Sequence, residues 1–136
     1  MVFTAVLAGC GGMSKGWLSA ISEHPLLKGR VQVVGLVDLD RATAEARAAE
    51  FGLSDAVIGT DLDQVLSQTK PDLLFDVVIP AARAGVVETA LRHGCHVLSE
   101  KPMATSLDEA RTLISKAEQA GRIHAVVQNR RFITGV

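Results

Sequence analysis

The chain has 136 residues, 48% of them hydrophobic and 21% charged, and its formal net charge is −1 at pH 7. A chain of this length forms one domain and buries about two-thirds of its unfolded surface. The near-neutral charge without a basic run argues against nucleic acid or an anionic membrane as a partner. Cys10 and Cys95 form no metal-binding pair and no disulfide framework. We therefore expect a cytoplasmic protein that needs no metal.

The first element is an apolar run at residues 2–8, typical of a strand buried on both faces, and the turn Gly-Cys-Gly-Gly-Met-Ser follows it at residues 9–14. A strand, a glycine turn and a helix together present backbone N–H groups and a helix N-terminus to a phosphate. Gly9 and Gly11 match the first two glycines of G-x-G-x-x-G, whereas Ser14 stands in the place of the third. The pattern indicates a dinucleotide site, although a merely tight turn would look the same.

A second interpretation of the N-terminal residues is a lipoprotein signal. Residues 6–10, Val-Leu-Ala-Gly-Cys, match the small-residue box that precedes a lipid-modified cysteine. A secretion signal needs a basic leading segment, however, and the first basic side chain is Lys15. We therefore favour a buried strand over lipid attachment at Cys10.

Helices and strands alternate along the rest of the chain. The predicted strands are residues 2–8, 31–37, 56–58, 73–79, 96–99 and 123–127, and the predicted helices are residues 15–23, 41–50, 61–68, 84–93 and 107–120. Strands that are apolar along their whole length, separated by helices, predict a parallel sheet with right-handed crossovers. The expected fold is a doubly wound α/β sheet, a Rossmann dinucleotide-binding domain with strand order 3-2-1-4-5-6, over residues 1–136.

Asp38 ends the second strand, 24 residues after Ser14. This is close to the spacing expected for an acid that accepts hydrogen bonds from the adenosine ribose. The alternative role for Asp38 is to cap the N-terminus of the helix that follows, and Asp40 is a second candidate for that cap. A carboxylate here repels a 2′-phosphate and favours NAD, but Arg41 could soften that preference and keeps NADP open.

Glu100, Lys101 and Pro102 come immediately after the fifth strand. Carboxyl ends of the strands in such a sheet line the ligand crevice, so a lysine here would point at the reacting end of a cofactor. Its ammonium group can hydrogen-bond a hydroxyl or carbonyl and help to move the proton. A solvated loop lysine is the alternative, but Pro102 restricts Lys101 to extended angles.

These segments together resemble the N-terminal domain of the Gfo/Idh/MocA oxidoreductases, the glucose–fructose oxidoreductase and inositol dehydrogenase group. The resemblance is carried by residues 8–13 (Ala-Gly-Cys-Gly-Gly-Met), 37–38 (Val-Asp), 96–102 (His-Val-Leu-Ser-Glu-Lys-Pro), 104–105 (Ala-Thr), 128–129 (Gln-Asn) and 131–132 (Arg-Phe). They follow the family's order and spacing over nearly the whole chain. Glu-Lys-Pro after a strand is far more specific than the glycine turn.

The resemblance implies a role for particular residues. The pyrophosphate would be held by Gly9, Gly11, Gly12 and Met13, and the adenosine ribose by Asp38. Around the nicotinamide end, the implied residues are Ile79 and Pro80 along the path of the cofactor, Glu100 beside the ribose, Lys101 at ribose and substrate, and Gln128 and Asn129 near the ring. In relatives the Lys–Pro bond is often cis, which would make Lys101–Pro102 a fixed bend.

The chain departs from the family pattern in two places. The family usually has a threonine before the proline that follows strand four and a histidine a few residues later, whereas this chain has Ile79 and Arg83 there. We expect Arg83 to face solvent, with binding of an anionic group as the alternative. Family members also continue into a substrate-binding domain that this chain lacks, through which they commonly form homo-oligomers.

The leading functional hypothesis is the nucleotide half of an NAD(P)-dependent oxidoreductase that acts on a sugar or polyol hydroxyl, with Lys101 assisting proton transfer. The alternative is a non-catalytic dinucleotide-binding or redox-sensing module. A SAM-dependent methyltransferase also has a glycine turn and an acidic strand end, but it gives no reason for Glu-Lys-Pro.

Overall fold

The computed structural model describes residues 1–135. Within these residues, six strands alternate with five α-helices, and a short 3₁₀ turn follows the last strand. In chain order they are β1 (Phe3–Ala8), α1 (Gly12–Glu23), β2 (Val31–Val37), α2 (Arg41–Glu50), β3 (Val57–Gly59), α3 (Leu62–Thr69), β4 (Leu73–Asp76), α4 (Pro80–Arg92), β5 (His96–Ser99), α5 (Leu107–Ala120), β6 (His124–Val126) and the 3₁₀ turn Asn129–Phe132. Within residues 1–135, no helix has the length and apolar character needed to cross a bilayer.

The strands form one parallel sheet in the order β3-β2-β1-β4-β5-β6. This arrangement confirms the predicted doubly wound α/β fold. Since all strands point the same way, their carboxyl ends meet at one edge of the sheet. The strand order reverses between β1 and β4, and ligands of open α/β sheets bind at such a switch point.

The sheet lies between two layers of helices. Side chains of β1 alternate between the faces: Ala5 and Leu7 pack with α1 and α2, whereas Val6 and Ala8 pack with α3, α4 and α5. All four are at most 2% exposed. The central strand is therefore buried on both faces, as its unbroken apolar sequence predicts.

Helix α1 begins earlier than predicted, at Gly12 instead of Lys15. Gly11 is the N-cap, with φ −70°, and Gly12 and Met13 are already in the first turn. Glycine has a low helix propensity, which is why the sequence indicated a later start. The earlier start brings the N-terminus of α1 directly against the end of β1.

Strand β4 ends at Asp76 instead of Ile79, and α4 begins at Pro80 instead of Ala84. The apolar residues Val77 to Ile79 look like a continuing strand, but they form the loop at the switch point. Proline is favoured in the first turn of a helix because its missing N–H has no partner there in any case. Pro80 thus starts α4, four residues before the predicted start of this helix.

Candidate functional site

The first glycine of the turn is required by the fold itself. Gly9 has φ +94°, and a Cβ built on it would lie 2.5 Å from the carbonyl oxygen of Val77. Its N–H donates to the Val37 carbonyl at 2.8 Å. Gly9 therefore lets the end of β1 pass close to the loop between β4 and α4.

The next two glycines border open space. A Cβ on Gly11 or Gly12 would meet no heavy atom within 4 Å. The N-cap of α1, Gly11, has no side chain with which to cap the helix, and the first turn of α1 holds no acidic residue. Free N–H groups at the positive end of a helix dipole, beside space that a side chain would fill, fit a pyrophosphate. Met13 lies in the same turn and is 61% exposed.

Ser14 stands in the place of the third glycine and is fully buried. Its hydroxyl donates to the Gly11 carbonyl at 2.5 Å. Cys10 is also fully buried, with Sγ 3.5 Å from the Val37 carbonyl oxygen. Burial, helped by the nearby Asp38 charge, raises the pKa of the Cys10 thiol to about 12. A protonated thiol inside the core argues against lipid attachment at this cysteine.

Asp38 lies where β2 ends and is held by two backbone groups. Its Oδ2 accepts from the Cys10 N–H and its Oδ1 from the Asp40 N–H, both at 2.9 Å. A carboxylate has about four lone-pair sites, so each oxygen retains capacity for a hydroxyl donor. Asp40, not Asp38, caps α2, because its side chain accepts from the Ala42 N–H. The helix-capping alternative for Asp38 is therefore wrong.

A hollow of about 730 Å³ opens at the switch point. The carboxyl ends of β1, β2, β3 and β4 and the first turns of α4 surround it, and its walls are mostly apolar. Four predicted site residues line it, namely Gly9, Gly11, Asp38 and Ile79. The Ile79 side chain is 70% exposed. The seven other predicted residues are outside its lining: Gly12, Met13, Pro80, Glu100, Lys101, Gln128 and Asn129.

Arg47 supports the glycine turn from α2, which the sequence analysis missed. Its guanidinium group donates to the Cys10 carbonyl through Nε at 3.3 Å and Nη2 at 3.2 Å, and Nη2 also lies 3.3 Å from the Gly11 carbonyl oxygen. Glu50 forms an ion pair with the same guanidinium. The side chain is only 11% exposed. Nothing in the sequence distinguishes Arg47 from a surface arginine.

Glu100 and Lys101 follow β5 at the same edge of the sheet. Glu100 accepts from the indole N–H of Trp17 at 2.8 Å and from the Lys101 N–H at 3.2 Å. Trp17 in turn packs on Phe75, with ring centroids 5.5 Å apart. These contacts tie the Glu-Lys-Pro segment to α1, the helix that begins at the glycine turn.

The Lys101 side chain is exposed, and the Lys101–Pro102 bond is cis, as the resemblance implied. Within residues 1–135, no carboxylate lies within 4.0 Å of its ammonium group. The ammonium is thus available to a ligand at this edge.

Arg83 does not face solvent, and that prediction is wrong. Its side chain is 1% exposed and forms an ion pair with Asp76, which is 0% exposed, at 2.7 Å. Ser99 also donates to the Asp76 carboxylate, at 2.6 Å. A buried carboxylate at the end of β4 draws the guanidinium inward, because an unpaired buried charge is costly.

The remaining predicted residues lie at the margins of this edge. Pro80 is the first residue of α4, and Gln128 and Asn129 begin the 3₁₀ turn after β6. All three are exposed. Because β6 is the edge strand, Gln128 and Asn129 are two strand positions away from β4. Their proposed contacts with a nicotinamide stay predictions.

Comparison with known proteins agrees with this geometry. Residues 3–128 match the Gfo/Idh/MocA family described as an oxidoreductase family with an NAD-binding Rossmann fold. The chain is similar to an inositol 2-dehydrogenase/D-chiro-inositol 3-dehydrogenase of Lacticaseibacillus casei, 28% identical over all of this chain and 38% of that protein. It is 35% identical to a D-xylose dehydrogenase of Paenarthrobacter nicotinovorans, over 57% of this chain and 20% of that protein.

Among solved structures, the chain is similar to the WlbA dehydrogenase of Bordetella pertussis, which was crystallised with NADH and UDP-GlcNAcA. The TM-score is 0.85 and the identity 30%, over 96% of this chain and 36% of that one. The chain spans less than two-fifths of the length of the relatives it matches.

The family match starts in β1 and runs through β6. It includes the glycine turn, the acid after β2 and the Glu-Lys-Pro segment, and it removes the methyltransferase alternative. Sequence, fold and comparison thus agree that this chain belongs to the Gfo/Idh/MocA oxidoreductase family and forms its NAD-binding Rossmann domain.

Proposed function

We propose that this domain is the nucleotide half of an oxidoreductase that acts on a hydroxyl group of a sugar or polyol. One observation carries the proposal: Lys101 and the glycine turn lie at the same edge of the sheet, and the Trp17–Glu100 hydrogen bond joins their segments. Relatives named for inositol and D-xylose support the substrate class.

In this proposal the dinucleotide lies across the switch point. The turn residues Gly9, Gly11, Gly12 and Met13 would hold the pyrophosphate, and the free lone pairs of Asp38 would accept hydrogen bonds from the hydroxyls of the adenosine ribose. The roles toward the nicotinamide end fall to Ile79, Pro80, Glu100, Gln128 and Asn129.

A nicotinamide cofactor, when bound, would provide the hydride chemistry. In the proposed step, Lys101 hydrogen-bonds the substrate oxygen. Its neutral amine takes up the hydroxyl proton as the carbon is oxidised, and its ammonium returns that proton as the carbon is reduced. Glu100 is held by Trp17 and accepts from the Lys101 N–H, so the backbone from which the ammonium projects is oriented before substrate arrives.

NAD is the proposed cofactor in preference to NADP. The Asp38 carboxylate would repel a 2′-phosphate. Arg41 is already engaged, since its Nε donates to Glu45 at 2.8 Å and its Nη1 to the Ile58 carbonyl at 3.2 Å. We expect NADH to bind at least about tenfold more tightly than NADPH, a difference of about 1.4 kcal/mol. Titration calorimetry with both nucleotides measures it, and equal affinities would contradict the assignment.

The substrate pocket is proposed to come from a second domain, as the larger size of the relatives indicates. That domain would also carry any homo-oligomer contacts. The 136-residue chain alone should then bind NADH, observed as energy transfer from Trp17, its single tryptophan. It should oxidise polyols at a negligible rate, since positioning and water exclusion would be missing. Turnover at ordinary enzyme rates by this chain alone would contradict the proposal that a second domain supplies the substrate pocket.

Lys101→Met tests the catalytic role against the redox-sensing alternative. In a protein that joins this domain to a substrate-binding half, we expect kcat to fall by about 10²-fold or more, the usual contribution of a positioned acid–base group. NADH affinity should change little. Lys28→Met, in the loop before β2, is the matched control. Unchanged turnover in Lys101→Met would remove the lysine from the mechanism and favour a binding module.

A further inference from the structure

A buried arginine connects the two loops beside the nicotinamide end of the proposed site. Arg83 lies in the first turns of α4, and its side chain is 1% exposed. Full burial of a guanidinium group is rare and requires partners for its charge and its donors. Each of its three nitrogens donates to a different residue.

Two of the acceptors lie at the end of β4 and in the loop after it, and the third lies after β5. Nε donates to the Asp76 carboxylate at the end of β4, at 2.7 Å. Nη2 donates to the Val78 carbonyl in the β4–α4 loop, at 2.8 Å, and Nη1 donates to the Pro102 carbonyl in the β5–α5 loop. The same guanidinium thus spans the loop that lines the 730 Å³ hollow and the loop that carries Lys101.

Only an arginine side chain makes this set of contacts. Its planar group directs donors along fixed, divergent directions, whereas a lysine ammonium is one point that cannot reach three separated acceptors. The carbonyl of Pro102 belongs to the residue next to Lys101. A shift of this carbonyl therefore moves the backbone from which Lys101 projects.

We propose that Arg83 is a positioning residue for the nicotinamide half of the dinucleotide and for Lys101, because its guanidinium holds the Val78 and Pro102 carbonyls at a fixed separation. The inference rests on the proposed function for the identity of the ligand. Arg83 itself contacts neither cofactor nor substrate in this scheme. Its effect should be confined to the end of the site that these two loops form.

The test compares two ligands on the 136-residue chain. NADH reaches both ends of the site, whereas ADP lacks the nicotinamide half and uses only the glycine turn and Asp38. With Arg83→Lys, we expect NADH affinity to fall by about tenfold and ADP affinity to stay within about twofold, measured by titration calorimetry. Arg92→Lys, an exposed position on the same helix, is the matched control.

Hydrogen exchange supplies a readout without any ligand. Residues 101–105 should exchange faster in Arg83→Lys than in the wild-type chain, and helix α5 should be unchanged. A parallel loss of NADH and ADP affinity would show a general structural role and overturn the proposal. Unchanged NADH affinity with unchanged exchange in residues 101–105 would overturn it as well.

A second variant guards against misfolding. Asp76→Asn with Arg83→Met removes both charges of the buried pair together and leaves no unpaired ion. The double variant should show a cooperative thermal unfolding curve and the same selective loss of NADH affinity. A folded double variant that binds NADH as tightly as the wild type would refute the positioning role of Arg83. Failure of the wild-type chain to bind either ligand would refute the proposed function instead, a result distinct from these.

Discussion

Gly9 and Gly11 stand two positions apart in one turn, yet they have different reasons to be glycine. Gly9 has a positive φ and lies against the backbone of Val77 and Val78. Gly11 has φ −70°, which any residue adopts, and open space where its Cβ would be. The first is therefore a requirement of folding. The second is, in our proposal, a requirement of binding.

Alanine substitutions separate these two roles. Gly9→Ala should lower the free energy of unfolding by about 2 kcal/mol or more, because a left-handed alanine is strained and its Cβ meets a carbonyl oxygen. Gly11→Ala should unfold at nearly the wild-type temperature but bind NADH at least about tenfold more weakly. Thermal denaturation and calorimetry on both variants check this. A stable Gly9→Ala chain, or a Gly11→Ala chain with wild-type affinity, would contradict the assignment.

At the scale of the element, α5 shows how a helix is fixed by local chemistry. Ser106 caps it by accepting from the Glu109 N–H at 3.1 Å. Glu109 reaches back to the N–H of Thr105 at 2.7 Å, one residue before the N-cap that an ideal capping box would use. Gly121 ends the helix in the left-handed conformation, with φ +63°. Its predicted bounds, residues 107–120, are confirmed.

Ser106→Ala should therefore lower the free energy of unfolding by about 1 kcal/mol, the usual effect of losing a helix N-cap. Ser115→Ala is the control, because Ser115 lies exposed in the middle of the same helix. It should change the stability little or raise it slightly, since alanine favours helix interiors. Equal losses in the two variants, measured by urea denaturation, would exclude a capping effect.

Across the whole molecule, a buried polar network joins the carboxyl ends of β4 and β5 to the first residue of β6. Ser99 on β5 donates to Asp76 on β4 at 2.6 Å and lies 3.0 Å from Nε2 of His124 on β6. Because the Ser99 proton is used on Asp76, His124 must donate to the Ser99 oxygen through Nε2–H. Among the described residues, Nδ1 is buried with no partner. A proton on Nδ1 would be buried without an acceptor, so this environment favours the neutral form of His124.

This arrangement predicts that stability falls in mild acid. Burial lowers the pKa of His124 below its ordinary value of 6.5, and Arg83 acts in the same direction while Asp76 opposes it. The unfolded chain therefore binds a proton at higher pH than the folded chain, and the free energy of unfolding decreases as pH falls below about 6.5. His124→Gln keeps a donor for Ser99 without titrating. Tm is measured for both proteins between about pH 7.5 and 5.5, and the wild-type Tm should fall more steeply with decreasing pH than that of His124→Gln. The same dependence of Tm on pH in both proteins would contradict the prediction.

The order of elements and the fold were predictable from sequence, and so was the placing of the glycine turn, Asp38 and the Glu-Lys-Pro segment directly after strands; their roles toward a cofactor stay predictions. Each depends on local apolar runs, on turn chemistry or on short motifs with characteristic spacing. The predicted starts of α1 and α4 were wrong, because the local preferences of Gly12 and Pro80 disagree with the positions that these residues take in the folded structure. There the sequence indicates a break in regular structure, while packing at the switch point starts a helix.

What the sequence determined by itself is which segments form strands and helices and which short motifs end them, because those properties depend on neighbours in the chain. Only the tertiary structure decided what supports the site. Arg47 reaches a carbonyl 37 residues away, Trp17 a carboxylate 83 residues away, and Arg83 a carbonyl 19 residues away. A polar side chain on a helix looks the same in sequence whether it faces water or a buried acceptor. Burial of its charge becomes favourable only once distant strands have brought that acceptor within reach.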